Sequence, residues 1–311
     1  MNGEMRLERI LVGLDFSEPS FTAACWAAHQ LAPAATIRLV HVLDLPESPT
    51  FLRGLYPARD RLLGFLREDV ERRLEQTARQ VADARLPHEV QFEIREGRTH
   101  DELVVAAKEW NANLIAVGEH GQRPGIWRML GSTAERLIRV SPLPVLLARA
   151  GTAGRPEQIL IPIDETDLSE TVLRWGLLLA RRFNARMTVF HALHPMYLVH
   201  VGLVSSKLRT RSVEQEVEES TRAWMQGLVR QAGAGSEDIA IVVAFGEPRY
   251  EILAAAKRYD SDLIVIGSRG AGGVTRALLG SVTTAVARGA ASPVLVVTER
   301  ASKEMGAEVE P

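Results

Sequence analysis

The two halves of this chain repeat one another at a constant spacing. Adding 149 to residue numbers of the first half recovers the same residue types in the second: Asp15, Gly97, Gly118, Gly131, Ser132 and Pro144 become Asp164, Gly246, Gly267, Gly280, Ser281 and Pro293. A short motif repeated by chance would not also preserve the 103-residue separation of Asp15 and Gly118. The repeat therefore predicts two copies of one domain of about 145 residues, an ordinary size for a single hydrophobic core.

The limits of these domains follow from local composition. Residues 150–157 are rich in glycine and small residues and include Pro156, which is typical of a linker. We therefore expect an N-terminal domain over residues 1–149 and a C-terminal domain over residues 157–300. The polar segment 301–311 is predicted to be a frayed tail.

Apolar runs alternate with helical stretches in both halves. The predicted strands are 10–14, 37–42, 90–94, 114–117 and 145–147 in the first half, then 159–163, 187–191, 239–243, 263–266 and 294–297 in the second. The predicted helices of the first half are 19–31, 62–84, 101–110 and 132–140. Strands that are apolar on both faces and alternate with helices indicate a parallel sheet covered on both sides. We predict an α/β protein of two tandem doubly wound domains, each with a five-stranded parallel sheet and helices on both faces.

A glycine-rich motif follows the fourth predicted strand of each half. Its pattern is G-x2-G-x9-G-S, and its members are Gly118, Gly121, Gly131 and Ser132 in the first half and Gly267, Gly270, Gly280 and Ser281 in the second. Glycine lets the backbone approach a ligand closely, and the start of a helix favours an anion. The motif predicts a loop whose N–H groups hold phosphate oxygens. The alternative, that these glycines only form turns, stays open.

The order and spacing of these elements resemble the universal stress protein family, in its tandem two-domain form, over about residues 6–298. The resemblance implies that Asp15 and Asp164 meet the adenosine part of a bound ATP and that Val42 and Ala192 flank the adenine. It also implies that the motif glycines and the serine after them hold the ribose and phosphates, with ATP bound alone or together with Mg²⁺. Asp15 also fits a second role, as a residue that begins a helix.

The two predicted sites are not equivalent. Ser268 and Arg269 stand between the first two glycines of the second motif, and a hydroxyl and a cation suit a polyphosphate. The first motif has Glu119 and His120 at these positions, and a carboxylate repels phosphate unless a metal or a rotated side chain intervenes. We therefore expect the stronger nucleotide binding in the C-terminal domain.

Several other functions are disfavoured by the sequence. A formal net charge of −2 provides no basic field over the whole chain, so we expect neither nucleic acid nor membrane as a partner. The chain has no G-x4-G-K-(S/T) motif, and no G-x-G-x-x-G motif follows the first strand of either half, which disfavours P-loop phosphotransferases and dinucleotide dehydrogenases. No cysteine or carboxylate stands at metal-ligand spacing from His41, His191 and His194, so these histidines are predicted to be packed at strand ends or solvated.

The leading hypothesis is a cytoplasmic stress-response protein that binds ATP and uses nucleotide occupancy to set its conformation or its partners. We expect a homo-dimer, an unidentified protein partner and no enzymatic role beyond slow ATP hydrolysis. The alternative is a nucleotide-independent stress scaffold whose glycine loops are vestigial. An enzyme of the wider adenine-nucleotide α-hydrolase-like group is disfavoured, because the H-x-G-H strand turn typical of that group is absent.

Overall fold

A computed structural model of the chain describes residues 7–31, 35–44, 56–82, 90–121, 130–152, 154–194, 211–235, 237–269 and 279–298. The chain divides into two compact units, one holding most residues up to 153 and the other most residues from 154 on. The domain limits 1–149 and 157–300 stay predictions, and the predicted tail 301–311 lies outside the described residues.

The described part of the first unit forms a five-stranded parallel sheet. Its strands are β1 (Arg9–Gly13), β2 (Thr36–Leu43), β3 (Val90–Glu96), β4 (Leu114–Gly118) and β5 (Val145–Ala148), in the order β3-β2-β1-β4-β5. Its helices are α1 (Glu18–Trp26), α2 (Tyr56–Val81), α3 (Thr99–Glu109) and α4 (Ser132–Val140). The direction of the crossovers reverses between β1 and β4, so right-handed connections place helices on both faces of the sheet.

The described part of the second unit repeats this topology. Its strands are β6 (Gln158–Pro162), β7 (Arg186–Leu193), β8 (Ile239–Phe245), β9 (Leu263–Gly267) and β10 (Val294–Val297), in the order β10-β9-β6-β7-β8. Its helices are α5 (Leu168–Phe183), α6 (Arg211–Gln231), α7 (Pro248–Arg258) and α8 (Ser281–Gly289). The predicted fold class is therefore confirmed, and the crevice beyond the ends of β6 and β9 is where such sheets bind ligands.

Two predicted helix limits were wrong. Helix α2 begins at Tyr56, earlier than the predicted residue 62, and Pro57 lies in its first turn, where a missing N–H costs no helical hydrogen bond. The predicted helix 19–31 is not one regular helix, because α1 ends at Trp26 and continues as the π-helical turn Ala27–Leu31.

The duplication extends to backbone details that no motif predicted. The side chain of Asn113 accepts hydrogen bonds from the N–H groups at the start of β1, at 2.8 and 2.9 Å. Asp262 does the same for β6, at 2.9 and 3.0 Å. Gly97 follows β3 with a φ angle of 139°, and Gly246 follows β8 with a φ angle of 159°. Residues that carry a side chain rarely adopt these backbone angles. The two units are thus copies in three dimensions.

Across the described part of the chain, no helix combines the length and apolarity needed to cross a membrane.

Candidate functional site

A cavity of about 730 Å³ lies at the carboxyl edge of the second unit's sheet. Its walls come from the ends of β6, β7 and β9 and from the starts of α5, α7 and α8. Six of the seven residues predicted for this site line it: Asp164, Ala192, Gly267, Arg269, Gly280 and Ser281. The seventh, Gly270, lies outside the described residues. The tertiary structure thus brings together residues that the sequence places on three different strand ends.

The glycine loop of the second unit is held by its main chain. The N–H of Ser268 donates to the carbonyl oxygen of Val297 at 2.8 Å. The N–H of Gly280 donates to the carbonyl oxygen of Ser268 at 2.9 Å. The Thr283 hydroxyl donates to the Gly267 carbonyl oxygen at 2.6 Å. Gly280 is the N-cap of α8 and has no side chain, so no capping side chain from this residue covers the first N–H groups of the helix. This helix start is suited to an anion.

Asp164 has a structural role as well as a place in the cavity wall. Its Oδ1 accepts hydrogen bonds from the N–H and hydroxyl of Thr166, at 3.2 and 2.5 Å, and from the Ser169 hydroxyl at 3.1 Å. In the first unit, Oδ1 of Asp15 accepts in the same way from the N–H and hydroxyl of Ser17, at 3.0 and 2.5 Å. A role at the start of a helix therefore accounts for one carboxylate oxygen, Oδ1, of this aspartate in each unit.

The wall of the cavity between β6 and β7 is mostly apolar, with Pro162, Ala192 and Ile252 among its residues. Beyond it, Nε2 of His194 lies 2.8 Å from Oε2 of Glu247 at the start of α7. Sequence reasoning did not identify Glu247 or Ile252 as site residues. A signal was present, because Glu247 follows the repeated Gly246 at the carboxyl end of a strand, the edge where ligands bind in this fold.

The first unit has the same main-chain frame around its glycine motif. The N–H of Glu119 donates to the Ala148 carbonyl oxygen at 3.0 Å, and the N–H of Gly131 donates to that of Glu119 at 2.7 Å. Ser132 is the first residue of α4, and Val42 is buried near the end of β2. The predicted residues of this unit thus lie on the same elements as their second-unit equivalents.

Two of the first-unit glycines lie at close approaches. A Cβ atom on Gly121 would lie 2.6 Å from Oδ2 of Asp15, so the loop and the predicted adenosine residue are neighbours. A Cβ atom on Gly118 would lie 2.7 Å from the backbone nitrogen of Ser20. Gly118 therefore allows β4 to pack against the start of α1, which supports a packing role for that glycine.

The carboxylate of Glu119 is rotated towards Arg149, which is one of the alternatives that the sequence left open. It forms an ion pair with Arg149, which is buried after the end of β5, and burial lowers the pKa of Arg149 to about 10. The second unit has Ser268 and Thr298 at these positions, both buried. The expected repulsion between Glu119 and a phosphate is therefore weakened, because a rotated side chain directs its charge to Arg149.

Aromatic rings lie at the ends of β1 and β2. Phe16 has a φ of 63°, rare for a bulky residue, and its ring centre is 4.8 Å from that of His41. The Arg73 guanidinium lies 3.9 Å from the Phe16 ring centre. Burial lowers the pKa of His41, although its hydrogen bond from Nδ1 to the Leu14 carbonyl oxygen, at 2.7 Å, acts in the opposite direction.

Two of the strand-end histidines, His41 and His191, make equivalent contacts in the two units. Nδ1 of His191 lies 2.8 Å from the Ile163 carbonyl oxygen, which matches the contact of His41 in the first unit. His191 also meets the ring of Trp224 edge-on at 5.4 Å. Among the residues that the structure describes, no three His, Cys, Asp or Glu side chains are grouped to hold a metal ion.

Comparison with known proteins agrees with the fold and the repeat. The model of the universal stress protein family matches residues 6–149 and again 156–298. A universal stress protein of Mycolicibacterium smegmatis is 30% identical over 300 residues, covering 94% of this chain and 97% of that protein. One of Mycobacterium tuberculosis is 27% identical over 298 residues, covering 93% and 97%. The crystal structure of a universal stress protein from Archaeoglobus fulgidus, 20% identical, superposes with a TM-score of 0.68 over 94% of this chain and 99% of that one.

Proposed function

This chain belongs to the universal stress protein family, and we propose that its second unit binds ATP. The observation that carries the proposal is the cavity of about 730 Å³, lined by six residues that the glycine motif and the family resemblance had singled out. Its volume is within the range of about 300–1,000 Å³ typical of small-molecule sites. The apolar middle of the cavity suits a base, and the helix start at one end of the cavity suits the phosphates joined to that base.

In the proposed complex each group has a physical role. Asp164 accepts hydrogen bonds from the adenosine, and the small side chain of Ala192 packs against the base. The main chain from Gly280 to Ser281, with Arg269, attracts the phosphates. We propose Mg²⁺ only as a companion of those phosphates, because no ready-made metal cluster is found among the described residues.

We further propose that occupancy of this site sets the protein's conformation or its partners, rather than serving catalysis. In this proposal the protein acts in the cytoplasm as a homo-dimer, and any ATP hydrolysis is slow and incidental. The first unit is proposed as the weaker nucleotide site, because His120 replaces the permanent charge of Arg269 there.

The test is to identify nucleotide carried by the protein. Purified protein is heat-denatured, the released small molecules are analysed by chromatography and mass spectrometry, and ATP binding is measured by calorimetry. We expect released adenine nucleotide and a saturable binding isotherm. A protein that releases none and binds none is the nucleotide-independent scaffold, a role that the packing contact of Gly118 and the helix-entry contacts of Asp15 also fit.

A further inference from the structure

We propose that Glu247 recognises the exocyclic amino group of the nucleotide's base in the second-unit cavity, and that His194 positions its carboxylate. This inference rests on the proposed function and names the residue that gives the site its base preference. Both side chains line the cavity, and their 2.8 Å contact joins the end of β7 to the start of α7.

The carboxylate of Glu247 is held by neighbouring side chains rather than by the N–H groups of its own helix. Glu247 is the N-cap residue of α7, with φ −71° and ψ 118°, but its side chain makes no capping hydrogen bond at this helix start. Pro248 follows it and has no N–H to be capped. The carboxylate is held instead by His194, and Nε of Arg249 lies 3.6 Å from its other oxygen. An acceptor is thus fixed at the cavity wall by contacts on the protein side.

The two ends of the cavity differ in charge. Arg269 and the start of α8 lie beyond β9. Glu247 follows β8, and its carboxylate meets His194 beyond the end of β7, which β6 separates from β9 in the sheet. Two strand spacings correspond to about 10 Å. A ligand that satisfies both ends carries an anion on one side and a hydrogen-bond donor on the other, with a flat apolar body between. A nucleotide whose base bears an amino group, such as adenine, has this form, whereas uracil offers carbonyl oxygens that a carboxylate repels.

The first unit offers a contrast within the same chain. Its residues at the ends of β2 and β3 are Asp44 and Arg98, so the acidic and basic positions are exchanged relative to His194 and Glu247. Asp44 is also engaged differently, since its Oδ2 accepts hydrogen bonds from the Thr99 hydroxyl at 3.2 Å and the Thr99 N–H at 3.5 Å. The carboxylate of Asp44 therefore contacts the start of α3, and Arg98 rather than a carboxylate residue occupies the position equivalent to Glu247.

The experiment compares two nucleotides that differ only at the amino group. Dissociation constants of ATP and of purine riboside 5′-triphosphate, in which hydrogen replaces the 6-amino group, are measured by calorimetry. A hydrogen bond to a charged group predicts that the wild type binds ATP about tenfold or more tightly than the analogue. Glu247→Ala should weaken ATP binding until the two affinities are equal, and leave the affinity for the analogue unchanged.

Two further variants and one control complete the test. If circular dichroism shows that Glu247→Ala is poorly folded, Glu247→Gln is used instead. This variant keeps the shape of the side chain and should lower the preference for ATP over the analogue. His194→Ala should reduce the preference less than Glu247→Ala does, again without changing the affinity for the analogue. The matched control Arg98→Ala, at the equivalent position of the first unit, should keep the wild-type ratio.

The outcomes separate this inference from the proposed function. Tight ATP binding with no preference over the analogue, or a preference that survives both Glu247 substitutions, overturns the role of Glu247 alone. Failure of both nucleotides to bind the wild type overturns the proposed function and this inference together.

Discussion

The carboxylate of Glu119 pairs with the guanidinium of Arg149, and this pair distinguishes the first glycine loop from the second. The Arg149 side chain is only 8% exposed, and the equivalent positions of the second unit hold two buried hydroxyl residues, Ser268 and Thr298. In the described residues that flank the two loops, the main-chain hydrogen bonds are equivalent. The two halves therefore differ here in buried charge rather than in backbone.

Removing one partner of this pair should destabilise the first unit. Glu119→Ala leaves the guanidinium of Arg149 buried without its carboxylate, which costs about 3 kcal/mol or more in the free energy of unfolding. The double variant Glu119→Ser/Arg149→Thr copies the second unit and should be closer to the wild type, because no buried charge remains. Urea unfolding followed by circular dichroism measures both. Equal losses in the single and double variants would contradict a role for charge burial.

The cation between the motif glycines should control phosphate affinity. Arg269→His removes a permanent charge from the second-unit cavity, and at pH 8, where an ordinary histidine is neutral, ATP affinity should fall about tenfold or more. The reciprocal change His120→Arg in the first unit should leave the affinity of the second site unchanged and strengthen any binding by the first. Calorimetry with ATP measures both effects. An unaltered affinity in Arg269→His would show that the phosphates lie elsewhere.

The two aspartates at the strand ends should separate structure from binding. Asp164→Asn and Asp15→Asn each keep an acceptor oxygen for the N–H and hydroxyl groups at the helix entry, so we expect each to change the free energy of unfolding by less than about 1 kcal/mol. Only Asp164→Asn should also weaken ATP binding, because Asp164 lines the second-unit cavity. Thermal unfolding and calorimetry on the same samples make the comparison. If Asp15→Asn lost ATP affinity and Asp164→Asn did not, the nucleotide would be assigned to the first unit instead.

His41 should make the first unit sensitive to acid. Burial lowers its pKa in the folded protein, and the nearby positive charge of Arg73 acts in the same direction. The unfolded chain therefore binds this proton first, so the stability is fully present above about pH 6.5 and falls as the pH drops below that value. His41→Gln keeps a donor for the Leu14 carbonyl oxygen but cannot titrate. Its free energy of unfolding should change less between pH 7 and pH 5 than that of the wild type, and an identical slope would contradict the assignment.

Many features of the fold were predictable because they depend on local pattern. Alternating apolar runs and helical stretches predicted ten parallel strands, five in each half, and the structure has them in its described part. The limits of α1 and α2 were missed, since a π-helical turn and a proline in a first turn are decided by packing and by helix-end hydrogen bonding rather than by hydrophobic period.

The candidate site was predictable only in part. The glycine motif could be singled out because its chemistry and spacing are visible along the chain, and Asp164 because the family resemblance implies its role. Glu247 was missed, because it is separated in sequence from both His194 and the glycine motif and has no motif of its own. A rotated Glu119 side chain was one of the alternatives, but its partner Arg149 was not identified, since that residue is distant in sequence and becomes a neighbour only when β4 and β5 pair.

The sequence by itself determined that there are two copies of an α/β unit and which loops bring N–H groups to the carboxyl edge, because residue spacing and hydrophobic period act over short distances. Tertiary structure alone decided which side chains meet at that edge. The order of strands in the sheet makes neighbours of residues that are far apart in the chain. Burial then determines whether a charge such as that of Glu119 is directed to a ligand or to Arg149, since a buried charge is stable only beside an opposite one.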